Sequence, residues 1–302
     1  ENMLEVAQNG RDYAADIKEK AGKMKGLFPS TLSMESILSW KNACLPEYRV
    51  EGDYFCIRIM DRIRGKRYYY MPLGEYHQES FQHLIEKLWE ENKESSPLII
   101  VDVRDEELGW YRGLHGFSCT ISDQDSYSDY IYRRADLKES FEKQRARYNK
   151  RYFIRKYAPE KRKLLRSDEN SCRNVVECAY CAYHSCKECT NGCLKDTISD
   201  FLKTSDSGAK YGLMISSGGI DIGYAAGIVQ GDCFVFLFKK NCHGYRGLDE
   251  YLQTELLNEL PEEVQWINYT EDMGIDGIRA YKKKLAPYHL KPRYKVLVER
   301  IG

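Results

Sequence analysis

The sequence predicts a mixed α/β (α+β) protein built from two similar halves, each a mostly antiparallel sheet with flanking helices. One order of strands, glycine-bearing loop, helix, strand, helix and strand occurs twice, at residues 48–122 and 210–301. The 302 residues are also enough for two domains of about 100–150 residues, each with its own core. The expected division lies within residues 134–168, giving an N-terminal domain at 1–150 and a C-terminal domain at 151–302.

The second copy begins with three predicted strands, rich in Ile, Val, Phe and Tyr and separated by the hairpin-turn pairs Gly218-Gly219 and Gly231-Asp232. The strands are at 211–216, 220–230 and 233–239. After a polar loop at 241–247, apolar residues recur at a helical period. They are Leu248, Tyr251, Leu252, Leu256 and Leu260. A strand, a helix and a last strand complete the copy at 264–269, 274–284 and 294–300.

The first copy follows the same order. Predicted strands at 54–60 and 67–71 lead into the glycine-bearing loop 72–75, and a helix follows. Its apolar face consists of Phe81, Leu84, Ile85 and Leu88. The copy is completed by a strand at 98–103, a short helix at 106–111 and a strand at 117–121. This layout is similar to the GNAT-type acyltransferase fold, and its repetition indicates a tandem arrangement; function still has to be argued from a site.

Composition limits the class of protein. Hydrophobic residues make up 42% and charged residues 30% of the chain, the balance of a globular protein. No apolar run approaches the roughly 20 residues of a membrane-spanning helix. Eleven cysteines, an odd number, argue against a secreted disulfide scaffold. We therefore expect a cytoplasmic protein with reduced thiols and no transmembrane segment.

Positive charge is concentrated between Lys138 and Arg166. This segment holds twelve Lys or Arg and three Glu, a net charge of +9 in a chain whose net charge is zero. Aromatic residues recur within it at helical spacing, at Tyr148, Tyr152, Phe153 and Tyr157. We predict a long basic helix at 138–166 whose aromatic stripe is buried. Its basic face is either simply solvated or a binding surface for a polyanion, tRNA or anionic lipid headgroups.

Two closely spaced cysteine pairs raise the question of a metal site. The pairs Cys178/Cys181 and Cys186/Cys189 have the two-residue spacing of zinc ligands. Only four residues separate the pairs, however, and free cysteine packs well as a small hydrophobe. The favoured interpretation is a helix at 174–184 that turns Val175, Cys178 and Cys181 to the core, with no metal.

A family signature occupies residues 267–279, which read I-N-Y-T-E-D-M-G-I-D-G-I-R and are followed by Lys282 and Pro287. It resembles the I-N-R-E-E-D-x-G-x-E-G-L-R pattern of the bacterial family related to the C-terminal domain of phosphatidylglycerol lysyltransferase. Weaker agreement occurs at residues 71–75, 129–132 and 245–247, so the resemblance extends over roughly 33–297. Tyr269 and Thr270 depart from the pattern, which has arginine and glutamate there.

The resemblance implies two GNAT-like halves similar to the Fem-type aminoacyl ligases. Such relatives move an aminoacyl group from aminoacyl-tRNA to an amine or hydroxyl acceptor. The leading hypothesis for this chain is therefore an aminoacyltransferase with aminoacyl-tRNA as the donor. The alternatives are an acyl-CoA-dependent N-acetyltransferase and a catalytically silent ligand-binding module of the same fold.

The signature supplies the candidate catalytic and acceptor residues. Glu271 and Asp272 stand at a predicted helix N-terminus, where carboxylates either cap free N–H groups or accept a proton from an attacking amine or hydroxyl. Arg279 and Lys282, three residues apart on one helix face, can hold a phosphate or a carboxylate. The remaining substrate-binding candidates are Asn268 and Tyr269. We expect a cleft between strands 233–239 and 264–269, facing the loop at 241–247.

That loop is the candidate donor-binding segment. In acetyltransferases of this fold, Q/R-x-x-G-x-G/A before the corresponding helix holds the CoA pyrophosphate with backbone N–H groups. Here the matching residues are His243, Gly244, Tyr245, Arg246 and Gly247. Asn241 replaces the basic first residue of the motif, which speaks against acetyl-CoA.

Overall fold

The computed structural model describes residues 14–24, 30–61, 65–181, 193–204 and 210–302, and within them the chain divides into two compact units. Unit 1 contains the described residues up to Ile37, Lys41–Ser128 and Pro292–Gly302. Unit 2 contains Leu38–Trp40 and Asp129–Lys291. These units differ from the predicted halves 1–150 and 151–302, since the long segment of unit 2 begins at Asp129 and the chain returns to unit 1 at Pro292.

Unit 1 is built on a mixed sheet. Its helices are α1 (Ala14–Gly22), α2 (Met34–Ser39), α3 (Lys41–Cys44), α4 (Gln78–Asn92) and α5 (Leu108–Arg112). Its strands are β1 (Glu47–Glu51), β2 (Tyr54–Asp61), β3 (Lys66–Tyr70), β4 (Leu73–Gly74), β5 (Leu98–Val103), β6 (Phe117–Asp123) and, from the end of the chain, β14 (Tyr294–Arg300). The strand order is β1-β2-β3-β5-β14-β6, with β4 paired to β2. Only the β3–β5 pair is parallel among these described strands.

Strand β14 corrects the expectation that residues 294–300 complete the second copy. It lies between β5 and β6 and pairs with β6 from Tyr294↔Asp123 to Arg300↔Phe117. The alternating pattern Val296, Val298 identified a strand, and both residues are fully buried. Periodicity shows that a segment is a strand but carries no information on its partner, and this partner is more than 170 residues away along the chain.

Unit 2 contains the second sheet. Its strands are β7 (Asp129–Arg133), β8 (Glu160–Lys163), β9 (Lys210–Ser217), β10 (Ile220–Gln230), β11 (Cys233–Asn241), β12 (Trp266–Asn268) and β13 (His289–Lys291). Its helices are α6 (Arg134–Glu142), α7 (Gln144–Tyr157), α8 (Glu169–Val176), α9 (Leu194–Lys203), α10 (Leu248–Glu259) and α11 (Asp276–Lys284). The strand order is β13-β7-β12-β11-β10-β9-β8.

Both faces of this sheet are covered by helices. One core cluster joins α6, α7 and α10 to the sheet through residues such as Leu137, Phe153 and Leu252. The other joins α8 and α9 to the opposite face through Val175 and Phe201. The mixed, mostly antiparallel sheets with flanking helices confirm the predicted fold class.

The predicted single basic helix at 138–166 is wrong. Lys143 is extended (φ −63°, ψ 151°) and separates α6 from α7. Helix α7 ends at Tyr157, and the next residue, Ala158, has a left-handed conformation (φ 41°) and donates its N–H to Ile154 O. Pro159 follows, and proline disfavours the α conformation in the residue before it. The basic residues Lys161–Lys163 therefore lie on β8, a four-residue strand that is exposed throughout.

The cysteine-rich segment is described only in part. Helix α8 buries Cys172, Val175 and Val176, and a π-helical turn, Glu177–Cys181, continues it. Val175 faces the core as expected, but Cys178 is exposed, because the wider π turn changes the direction of the residues that follow α8. Cys186 and Cys189 lie outside the described residues, so the zinc hypothesis stays untested.

Among the described residues, no helix combines the length and the apolar character that crossing a membrane requires.

Candidate functional site

An opening in sheet 2 follows from the unequal lengths of β11 and β12. The two strands are parallel and pair only from Cys233↔Trp266 to Val235↔Asn268. The chain after Asn268 stays with β7, since Tyr269 N–H donates to Tyr130 O at 2.9 Å. Residues 236–241 of β11 therefore extend past the end of β12. Crevices at the carboxyl ends of parallel strands are common ligand sites.

A β-bulge bends β11 at this opening. Ala226 pairs with Phe238 and Gly227 with Phe236, so Leu237 is the extra residue. Gly227 is required there, because a Cβ atom at this position would lie 2.0 Å from Val235 O. Bulges turn a strand and change the direction of the side chains that follow, and they are frequent next to active sites.

A polar cluster of Lys239, Asp249, Gln253, Tyr269 and Tyr281 occupies the opening. The Lys239 ammonium lies 2.7 Å from Asp249 Oδ1. Tyr281 OH donates to Asp249 Oδ2 at 3.0 Å, and Gln253 Nε2 donates to the same Oδ2 and to Tyr281 OH, both at 2.7 Å. Tyr269 OH closes the chain of hydrogen bonds at Gln253 Oε1, 2.5 Å away. The five side chains thus form one connected network.

The network runs from solvent into the core. The side chains of Lys239 and Asp249 are 23% and 32% exposed, whereas Gln253 is fully buried. Burial lowers the pKa of Lys239, but the Asp249 carboxylate and the Tyr281 hydroxyl outweigh burial and hold that pKa above its usual value. Burial and Asp249 raise the pKa of Tyr281 to about 12, against the opposing effect of Lys239. The lysine is therefore charged and the tyrosine neutral at pH 7.

Three elements bring this polar cluster together. Lys239 is near the end of β11, Asp249 and Gln253 share one face of α10 four residues apart, and Tyr281 is on α11. Asn241 joins β11 to the same helix, since its Nδ2 donates to Asp249 Oδ1 at 2.9 Å. The sequence predictions did not include Lys239, Asp249, Gln253 or Tyr281. The available signal was a lysine ending an apolar strand and two carboxylates in the next helical turn.

The family signature forms a tight turn, residues 268–275, before α11. Asp272 is 1% exposed and accepts hydrogen bonds from Tyr130 OH at 2.6 Å and from Gly274 N–H at 2.8 Å. The Arg279 guanidinium contacts both carboxylate oxygens, at 2.9 and 3.1 Å. Burial acts to raise the pKa of Asp272, but Arg279, Tyr130 and the Gly274 N–H outweigh it and lower that pKa.

Lys282 also stabilises this turn. Its ammonium donates to the carbonyl oxygens of Glu271 at 2.6 Å, Tyr269 at 2.5 Å and Thr270 at 3.2 Å. Thr270 has a left-handed backbone (φ 61°), which costs energy in a β-branched residue, so the lysine stabilises an unfavourable conformation. Burial lowers the pKa of Lys282 to about 8, although the carboxylates of Glu271, Asp129 and Asp272 favour its charged form.

The other signature residues differ in exposure. Asn268 is buried; its Nδ2 donates to Asp129 Oδ2 at 3.0 Å, and its Oδ1 accepts from Thr270 N–H at 2.7 Å. Tyr269 is buried and stacks on Phe236, with ring centroids 4.9 Å apart. Glu271 is half-buried and Arg279 is 30% exposed. Glu271 and Arg279 are therefore partly exposed to solvent, whereas Asp272 and Lys282 are buried.

The candidate donor loop lies against α7. Arg246 Nε donates to Asn149 Oδ1 at 2.9 Å, and Tyr157 OH donates to Gly244 O at 3.2 Å. The Tyr157 and Tyr245 rings are 5.0 Å apart. His243 Nε2 lies 3.0 Å from Ala179 O in the π turn. The loop and helix α11 meet at Asp249, which contacts both Asn241 and Tyr281.

The two loop glycines have different reasons to be glycine. Both have left-handed backbones, with φ of 88° at Gly244 and 89° at Gly247. A Cβ atom on Gly247 would lie 2.1 Å from Asn149 O, whereas one on Gly244 would meet nothing within 4 Å. Gly247 therefore permits close packing of α7 against the start of α10.

Comparison with protein families identifies the chain. The family model described as "Phosphatidylglycerol lysyltransferase, C-terminal" matches residues 28–297. The chain belongs to this family. The match confirms the resemblance of the signature and includes both units. A search of curated proteins found no match.

Solved structures show the fold of this phosphatidylglycerol lysyltransferase C-terminal family member. A conserved protein of unknown function from Bacteroides thetaiotaomicron superimposes with a TM-score of 0.80 at 21% identity, over 95% of this chain and 97% of that one. FemX gives 0.66 at 11% identity, over 94% and 96%. A tandem GNAT protein from the clavulanic acid biosynthesis pathway gives 0.52 at 12% identity, over 99% and 93%. The predicted tandem GNAT-like fold is confirmed.

Proposed function

We propose that this family member transfers an aminoacyl group from aminoacyl-tRNA to an amine or hydroxyl acceptor, at the opening between β11 and β12. The observation that carries the proposal is the polar cluster in this opening, which has a charged, solvent-facing end at Lys239 and Asp249. The name of the family, a lysyltransferase, supports the reaction class. Positioned charged groups at a cleft are what transfer without a covalent intermediate requires.

The start of α10 favours an aminoacyl donor over acyl-CoA. Asp249 and Glu250 lie in the first turn of this helix, where a CoA pyrophosphate would have to bind next to two carboxylates. Gly247, the second glycine of the loop, packs against Asn149 instead of lining an open cradle. The α-ammonium group of an aminoacyl ester, by contrast, is attracted to carboxylates.

The basic face of α7 is the proposed surface for the tRNA. Arg145, Arg147, Arg151 and Arg155 are exposed along this helix. Asn149 on the same helix contacts Arg246 of the donor loop and Glu250 of α10. A row of arginines binds phosphates without regard to sequence. Anionic lipid headgroups are the competing ligand for the same charges.

We assign different roles to the residues of the signature according to their exposure to solvent. Glu271 and Arg279 reach solvent and are proposed to contact the acceptor. Asp272 and Lys282 are buried in contacts with the turn itself, which supports a role in fixing its shape. Asn268 and Tyr269 are proposed to act on the substrate only through the turn and through Gln253.

The test is a transfer assay with purified full chain and radiolabelled aminoacyl-tRNA pools. Amines, alcohols and phosphatidylglycerol vesicles serve as acceptors, and uncharged tRNA and acetyl-CoA as controls. We expect product only with charged tRNA and an acceptor. Turnover of acetyl-CoA in its place, or tRNA binding without turnover, would reject the proposal.

Binding of tRNA to the basic face of α7 can be measured separately from transfer. The triple variant Arg147→Ala, Arg151→Ala, Arg155→Ala should weaken tRNA binding and reduce the slope of log K against log salt by about 2–3. Lys295→Ala, in unit 1, removes one positive charge away from this surface and should change the slope by no more than about 1. If the triple variant leaves tRNA binding unchanged but abolishes retention on anionic vesicles, the surface is for lipid.

A further inference from the structure

The polar cluster at the opening combines side chains that can donate and accept protons. It places a charged lysine, a carboxylate and a neutral tyrosine within hydrogen-bond distance of one another, after the strand bulge and where β11 extends past the end of β12. Groups of this kind cost free energy to bury and are concentrated at functional sites. A catalytic role for this cluster rests on the proposed function, because only that function defines the reacting atoms.

We propose that Lys239, Asp249 and Tyr281 are the proton-transfer centre of the aminoacyl transfer step. Lys239 and Asp249 are in contact at 2.7 Å and both reach solvent, so both can touch a bound ester. Tyr281 OH lies 3.0 Å from Asp249 and 3.3 Å from Lys239. Gln253, buried behind them, holds Asp249 and Tyr281 together and is a positioning residue.

The step balances as follows. The acceptor nitrogen or oxygen attacks the carbonyl carbon of the aminoacyl ester and gives its proton to Asp249. Protonation of Asp249 releases the Tyr281 hydroxyl from its hydrogen bond to that carboxylate, and Tyr281 and Lys239 then donate hydrogen bonds to the oxyanion that forms. The bond to the ribose oxygen then breaks, and Lys239 gives that oxygen a proton. Transfer of the proton from Asp249 to Lys239 across their contact returns both groups to their starting charges.

The chemistry of the surroundings fits these roles. The charged form of Lys239 is favoured by Asp249, so a proton is present to donate at neutral pH. Tyr281 keeps its proton and remains a donor. The groups in contact with Lys239 are Asp249 on α10 and Tyr281 on α11, and its charge also acts on Lys282 of α11, whereas the neighbouring Lys240 ammonium lies 5.9 Å from the Tyr180 ring.

The neighbouring lysine provides a matched control. Lys239→Met should lower kcat for aminoacyl transfer about 100-fold or more, the usual contribution of a general acid, while Kd for charged tRNA stays unchanged. Lys240→Met should retain the wild-type kcat. Asp249→Asn and Tyr281→Phe should each lower kcat by a similar factor.

Arginine at position 239 separates a chemical role from a structural one. Lys239→Arg keeps the positive charge and the pair with Asp249, but its guanidinium does not release a proton, because its pKa exceeds 12. We expect Lys239→Arg to melt like the wild type and still lose kcat. If Lys239→Met fails to fold, this variant and Tyr281→Phe decide the question alone.

The outcomes distinguish the two proposals. Wild-type kcat in Lys239→Arg or in Tyr281→Phe would overturn the proton-transfer centre and leave the proposed function intact. A wild-type protein that transfers nothing from any charged tRNA would overturn the proposed function, and the inference with it. Loss of kcat in the three cluster positions, with unchanged melting and tRNA binding, supports both.

Discussion

The buried side chains of Asp272 and Lys282 hydrogen-bond to the backbone of the signature turn. Lys282 was predicted to bind a substrate phosphate or carboxylate, yet its ammonium donates to three carbonyl oxygens of residues 269–271. The chemistry of a residue type is visible in a sequence, but its partners are not. Tyr130, which donates to Asp272, is 142 residues away along the chain.

Removal of the Lys282 ammonium should therefore destabilise the fold. Lys282→Met leaves buried carbonyl oxygens without donors and should reduce the free energy of unfolding by about 3 kcal/mol. The exposed neighbour Lys283→Met should change it by less than about 0.5 kcal/mol. Urea unfolding of both variants measures the difference. Equal stability would mean that the ammonium serves a ligand rather than the turn.

Because of Asp272, the free energy of unfolding should depend on pH under acidic conditions. Its pKa is lowered in the folded protein, so its contribution is fully present above the unfolded value of about 3.9 and is lost as the pH falls through the folded value. Asp272→Asn should lower the free energy of unfolding by about 2 kcal/mol at pH 7. The difference in this free energy between variant and wild type should be smaller at pH 3. Asp276→Asn, on the exposed start of α11, is the control. A gap that is constant with pH would contradict the assignment.

At the scale of elements, local pattern predicted most strands and helices, and backbone breaks explain the failures. Residues 220–230, 98–103 and 294–300 are strands with the predicted bounds, because their alternation and turn residues are local. The basic segment failed because charge and aromatic spacing indicated one helix, whereas Lys143 and Pro159 divide it. Four of the five residues of the polar cluster, all except Tyr269, were missed because they come from three elements.

The two loop glycines give a matched test of element packing. Gly247→Ala adds a methyl group 2.1 Å from Asn149 O in addition to the strain of its left-handed backbone. Gly244→Ala adds only the strain, about 1 kcal/mol. We expect Gly247→Ala to lower the melting temperature clearly more than Gly244→Ala. The same loss in both variants would show that α7 and α10 can separate without cost.

At the scale of the whole chain, the C-terminal strand belongs to unit 1 although it follows unit 2 in sequence. Truncation after Pro292 removes β14 from between β5 and β6. Hydrogen exchange should then show loss of protection in β5 and β6, while β9–β11 of unit 2 stay protected. Uniform loss over both sheets would instead mean that the two units unfold as one.

The central claim, transfer from aminoacyl-tRNA, is tested most directly by following the radiolabelled aminoacyl group itself. The wild-type chain is mixed with charged tRNA and acceptors, and the label is separated into tRNA-bound, free and acceptor-bound fractions over time. We predict that label moves from tRNA to an acceptor amine or hydroxyl at a rate that depends on Lys239. Label that stays on the tRNA with every acceptor, while acetyl-CoA is consumed, would contradict the account.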